Sequence, residues 1–276
     1  MAGNLLEIFT NCYGRYGVAA ALELVPKLGL NHIELAMRAH GGQVIVPTDV
    51  VAGEDMGLER EAQLRQALRD HGVQAITGNG GDNMRDPAGV ARFKARLDLA
   101  QRLGMRLVIG SGGEATEEDR PALMATLRGI GDYAAARSLT VCLETHPGVT
   151  NNAAQMLRTM QELQHPAVRL NFDTANILYY NEGADVLAEL RSVLPYIGHV
   201  HLKDSRGRLR DWYFPALGEG GAVDFAAVGN ILNDGGFFGP FSIELEGIQD
   251  EPELTLDERQ DRLQRSVDYL RKVGFL

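Results

Sequence analysis

Cysteine is nearly absent: Cys12 and Cys142 are the only two in 276 residues. Neither belongs to a CxxC pair, which excludes a disulfide-stapled secreted scaffold and argues against a thiolate metal site. Positive charge is also in short supply. Lys and Arg number 27 against 37 Asp and Glu, a formal net charge of −10. Nucleic-acid binders draw most of their affinity from phosphate contacts along a basic stripe. The densest basic stretch here, Arg206, Arg208 and Arg210, is short and interrupted, so no nucleic-acid partner is expected. Long apolar runs are missing too. No segment reaches the roughly 20 residues of a membrane helix, and residues 1–7 carry neither the basic region nor the apolar core of an export signal. No membrane partner is expected, and the expected location is the cytoplasm.

What is present is ordinary globular composition, 45% hydrophobic and 23% charged. The length suits one α/β barrel, typically about 250 residues. A coarse pattern recurs, in which a helix-like stretch ends in a Gly-bearing or polar turn and a short apolar run follows. Such runs begin near Leu5, Ile33, Val73, Arg106, Thr140, Val168, Ile197 and Phe241. Between them lie helical spacings. In Pro87–Leu103, Val90, Phe93, Leu97, Ala100 and Leu103 recur at steps of three or four. Asp86 is placed to cap that helix and Asp224 to cap another, and a last helix is expected over Leu256–Lys272. Strands alternating with helices imply parallel pairing and right-handed crossovers. The expected fold is a single (β/α)8 TIM barrel, one domain over residues 1–276. A doubly wound sheet is the runner-up, but the stretch after the first strand, Asn11–Gly17, lacks the GxGxxG phosphate loop that fold favours.

In a barrel the C-terminal strand ends form one rim, where active sites sit. The fifth run ends at Glu144, with His146 just beyond. The sixth ends at Asp173, with Asn176 three residues on. The seventh carries His199 and His201, then Lys203 and Asp204. The eighth carries Glu244 and Glu246. Crowded carboxylates repel one another, and one divalent cation removes that cost. His199 and His201 share a strand face; His201, nearer the rim, is the expected ligand. Oxygen donors with one imidazole favour Mn²⁺, Mg²⁺ or Co²⁺ over Ca²⁺, and the lack of cysteine ligands argues against Zn²⁺.

Leu143-Glu-Thr-His146, Asn171-Phe-Asp-Thr-Ala-Asn176, His199-Val-His-Leu-Lys-Asp204 and Ser242-Ile-Glu-Leu-Glu246 resemble the xylose-isomerase-like barrel superfamily over nearly the whole chain. Its members include sugar-phosphate isomerase/epimerase-type proteins, ketose 3-epimerases, hydroxypyruvate isomerase, inosose dehydratase and endonuclease IV. The resemblance implies a shared metal held by Glu144, Asp173, His201 and Glu244. It also implies a small sugar or polyol substrate and a homodimer or homotetramer. Two positions depart from the ketose 3-epimerase pattern: Asn176 stands where those enzymes carry His, and Gly207 where they carry Arg. Endonuclease IV needs further histidines for its metal cluster, one of them at the Asn176 position, so DNA repair is not expected.

The expected chemistry is proton abstraction beside a carbonyl through a metal-stabilised enediolate, with Glu144 and Glu244 serving the two faces. This makes the chain a metal-dependent sugar isomerase or epimerase. The alternative is a dehydratase or lyase, with His146 or Lys203 as acid or base; a third reading is a non-catalytic sugar-binding barrel. Asn176, Arg206 and Trp212 are candidate substrate contacts, and Arg38, His40, Asn79 and Glu114 weaker ones. Glu246 is an alternative ligand to Glu244. His32, His71 and His165 are expected to be structural and Cys142 a buried strand residue. The long loops at residues 40–58 and 204–222 are expected to form lids or substrate walls.

Overall fold

The computed structural model describes residues 4–37 and 52–276. Eight parallel strands close into a barrel: β1 Leu6–Phe9, β2 His32–Ala36, β3 Gln74–Asn79, β4 Leu107–Ser111, β5 Thr140–Glu144, β6 Val168–Asp173, β7 Ile197–Leu202 and β8 Phe241–Ile243. Every one of the eight apolar runs became a barrel strand, with ends displaced by a residue or two. The (β/α)8 expectation is met.

Helices α1 (Gly17–Leu24), α2 (Leu58–His71), α3 (Pro87–Leu103), α4 (Arg120–Ala135), α5 (Ala153–Leu163), α6 (Asn176–Tyr180), α7 (Val186–Val193), α8 (Phe225–Asp234) and α9 (Leu256–Lys272) flank the barrel. The caps explain several boundaries. Asp86 accepts hydrogen bonds from the Ala88 and Gly89 amides, with Pro87 in the first turn, and Asp224 accepts from the Ala227 amide. Thr255 and Glu258 form a reciprocal capping box at the start of α9.

The main core lies between sheet and helices, and includes Phe93, Leu97, Leu123, Leu127, Leu263 and Val267. Inside the barrel the chemistry differs. Leu107, Ile109 and Cys142 form a small separate apolar cluster. Ser111 pairs with Glu144 two residues further along these strands, so strand alternation puts those polar side chains on the same inner face. Glu7, Thr77, Asn171, His199 and Ser242 are buried with no exposed surface.

Two irregularities in register matter for the site. Ile33 pairs with Ala75 but Glu34 with Thr77, and Leu170 pairs with Ile197 but Asn171 with His199. The second strand of each pair, β3 in one and β7 in the other, thus carries one extra residue, Ile76 and Gly198 respectively. A Cβ at Gly198 would lie 2.7 Å from the Arg169 Cβ and 2.9 Å from the Cys142 sulfur, so the bulge has no room for a side chain.

The 204–222 loop is not featureless. Tyr213–Phe214 pairs antiparallel with Gly247–Ile248 in a short ribbon beside the rim. Residues 38–51, which include Arg38, His40 and most of the other long loop, lie outside the described residues. Among the described residues, no helix is long and apolar enough to cross a membrane.

Candidate metal centre

Glu144 is the last residue of β5 and Asp173 the last of β6. His201 precedes the last residue of β7. Glu244 follows β8 directly, and its amide still donates to Leu202 O at 3.1 Å, which keeps it in the barrel's hydrogen-bond pattern. Ligand atoms of these four side chains all lie within 4.8 Å of one another. His201 Nδ1 sits 3.0 Å from Glu144 Oε1, 3.3 Å from Glu244 Oε2 and 3.7 Å from Asp173 Oδ2.

The electrostatics of the cluster are those of an unfinished site. Burial alone would raise the Asp173 carboxyl, but Lys203 and His201 beside it outweigh burial and hold it below the usual carboxylate range. Burial also opposes ionisation of Glu144, and His146 and His201 overcome it. Glu244 goes the other way: burial pushes it up to about 7, with Lys203 and His201 countering only in part. Burial disfavours the charged form of His201, yet Glu34 and Glu244 hold its protonation well above the ordinary histidine range. The carboxylates around His201 thus favour positive charge at this spot, the charge that a bound cation would supply instead.

Three observations fit these residues to a divalent cation. The donors converge, they are hard oxygens with one imidazole, and Asp173 Oδ2 is buried with no hydrogen-bond partner. An unsatisfied buried carboxylate oxygen is costly, and a cation among the four donors relieves that cost.

The other expected residues lie at differing distances from this group. Lys203 is buried at the edge of the cluster, 3.3 Å from Glu244 Oε2 and 3.7 Å from Asp173 Oδ2, and paired with Glu246. Glu246 thus sits on Lys203, outside the group of four. His146 Nδ1 lies 3.4 Å from Glu144 Oε2. Asn176 is turned inward: its amide nitrogen donates to Thr145 O at 3.1 Å, and its oxygen lies 3.4 Å from Lys203 Nζ. Asn79 ends β3 rather than following it, and donates to Glu34 at 2.8 Å. Arg206 reaches Asp211 at 2.7 Å and covers the Tyr213 ring. Trp212 packs edge-on against Tyr179 and Phe214, and remains partly exposed. Glu114 is exposed, and His165 meets Asp132 at 3.1 Å away from the rim.

Sequence reasoning missed several neighbours. Asn11 Nδ2 lies 3.5 Å from Glu244 Oε1. The Tyr180 ring lies 5.6 Å from the His146 ring, and burial pushes its hydroxyl up to about 12, so it stays a donor at neutral pH. Glu34 meets His201 Nε2 at 3.1 Å. A signal for Glu34 was available: a carboxylate inside the apolar run Ile33-Glu34-Leu35 is rarely buried without a partner.

Residues 22–273 match the family described as xylose isomerase-like TIM barrel, and the chain belongs to that family. An inosose dehydratase of Klebsiella pneumoniae (strain 342) is 31% identical over 148 residues, 48% of this chain and 49% of that protein. The match thus spans about half the length of that relative. The L-ribulose-5-phosphate 3-epimerase UlaE of Escherichia coli (strain SMS-3-5 / SECEC) is 26% identical over 243 residues, 81% of this chain and 80% of that protein. A xylose isomerase-like TIM barrel protein from Mycobacterium smegmatis, solved in complex with magnesium, superposes with a TM-score of 0.73 at 18% identity, covering 99% of this chain and 98% of that one. That last likeness speaks for the fold.

Proposed function

We propose that this chain is a metal-dependent sugar isomerase or epimerase working by proton transfer beside a carbonyl. The observation that carries the reading is the convergence of Glu144, Asp173, His201 and Glu244 within 4.8 Å, with a buried Asp173 oxygen that makes no hydrogen bond. These four residues would hold one divalent ion, of the Mg²⁺, Mn²⁺ or Co²⁺ kind. When bound, such an ion polarises a substrate carbonyl and offsets the negative charge left as a proton leaves the neighbouring carbon.

The protein's own groups supply the proton traffic. Glu144 comes from β5 and Glu244 from the end of β8, three strands apart around the rim. One carboxylate is placed to take the proton from one face of a substrate carbon, and the other to return it to the opposite face. Lys203, held against Glu244, shifts that carboxyl's proton balance and so sets which of the two acts as base. Incubating keto sugars with the protein in D₂O tests this. Isomerisation or epimerisation incorporates deuterium at carbon without loss of mass, and Glu144→Gln and Glu244→Gln each stop it in folded protein. Normal exchange in both variants overturns the assignment.

A second reading, elimination of water or another group β to the carbonyl, is favoured by one feature. His146 and Tyr180 stand side by side at 5.6 Å, with His146 against Glu144, as a pair of donors able to protonate a leaving hydroxyl. The relatives include an inosose dehydratase. In the same experiment an inosose or keto sugar that loses water identifies a lyase.

A further inference from the structure

We infer that Glu34 is the residue that positions His201 as a ligand, a role that rests on reading Glu144, Asp173, His201 and Glu244 as a metal cage. An imidazole can ligate through either nitrogen, and the hydrogen bond made by the other nitrogen decides which. Here the two nitrogens face different surroundings. Nδ1 points at Glu144 and Glu244, at 3.0 and 3.3 Å. Nε2 lies 3.1 Å from each oxygen of Glu34. Glu34 is fully buried, and Asn79 Nδ2 anchors it at 2.8 Å. An ionised carboxylate accepts and cannot donate. The Nε2–H therefore donates to Glu34, and the Nδ1 lone pair is directed at the cage.

Neighbouring groups keep the ring from turning over. Phe9 stacks on it at 5.8 Å and 17°, and His199 packs edge-on at 5.3 Å and 88°. His199 Nδ1 lies 2.9 Å from Asn171 Oδ1, and the Asn171 amide nitrogen lies 3.2 Å from His201 Nδ1, so this side chain spans the two rings. The register between β2 and β3 shifts immediately before Glu34, with the extra residue Ile76 on β3. Glu34 is thus a positioning residue that acts through His201.

The test is calorimetric titration of the chelator-stripped full chain with Mn²⁺. Glu34→Gln keeps the shape of the side chain and removes its charge, so it should weaken Mn²⁺ binding on the order of 10–100-fold with an unchanged circular dichroism spectrum. Equal affinity in wild type and folded Glu34→Gln overturns the inference about Glu34 and leaves the cage standing. A wild type that binds no Mn²⁺ overturns the cage reading itself. A second measurement decides even where the variant does not fold. In long-range ¹⁵N–¹H spectra of the Mg²⁺-loaded wild type, His201 (identified by the signal lost in His201→Gln) should carry its proton on Nε2 alone. A proton on Nδ1 overturns the inference.

Discussion

Two buried charge clusters lie in this barrel, and they are built on opposite principles. Around Arg96, on α3, every guanidinium donor is used. Nε and one Nη2 bond go to Glu54 at 2.8 and 2.9 Å, another Nη2 bond to Asp82 at 2.9 Å, and Nη1 to Gly80 O and Gly81 O at 2.8 and 3.0 Å. That cluster is closed: it ties the loop after β3 to α3 and to the segment before α2, and asks for nothing more. The cluster at the ends of β5 to β8 is open. It gathers more carboxylates than its own cations satisfy, leaves Asp173 Oδ2 without a hydrogen bond, and pushes Glu244 above the usual carboxylate range by burial. Satisfied burial of charge makes structure; unsatisfied burial, held in place by strands, is what marks the second cluster as the candidate binding site.

The largest expected effect comes from emptying the open cluster. Dialysis against a chelator should remove all turnover, and adding back Mn²⁺ or Mg²⁺ should restore it; full activity in stripped protein, verified by elemental analysis, would end the distinction between the two clusters. Next, Glu144→Gln and Glu244→Gln should each lower kcat by roughly 10²–10⁴-fold. Their melting temperatures without metal should stay equal or rise, since each removes one like charge. Arg96→Ala should act in the opposite sense. It leaves half-buried Glu54 without its cation, while Asp82 keeps Arg92 at 2.7 Å, so urea titration should show a loss of about 1–3 kcal/mol, with Mn²⁺ affinity of the folded protein unchanged. The smallest effect belongs to Arg206→Ala, whose largely exposed pair with Asp211 is screened by water, so the melting temperature should not change measurably. A rise in KM without a change in melting temperature would mark Arg206 as a substrate contact.

How much of this was legible in the sequence depended on where a residue sat in its strand. Glu144 and Asp173 end apolar runs, so pattern alone delivered them to the rim, and the order of the fragments with His201 and Glu244 carried the family resemblance. Glu34, Glu7 and Asn171 lie inside strands, where an apolar run masks a single polar residue and only the closed barrel shows what it faces. Tyr180 was hidden for another reason: it ends a five-residue helix, α6, too short for periodicity to announce. The ribbon at Tyr213–Phe214 and Gly247–Ile248 has two residues per strand, and its partners are far apart in sequence. The closed cluster left no motif either, because Glu54, Asp82 and Arg96 meet only in three dimensions.

Gly198 gives the site an arithmetic as well as a chemistry. With one extra residue in β7 relative to β6, Ile197 and His199 do not keep the pairing interval of their neighbours. A deletion that restored it would rotate either Ile197 or the whole His199–Lys203 segment to the other face of the sheet. In the second case the imidazole leaves the cage and an aliphatic side chain enters it, although no functional residue has been substituted. In that case chain length in this strand, and not only the identity of its residues, would decide whether the proposed cage can form.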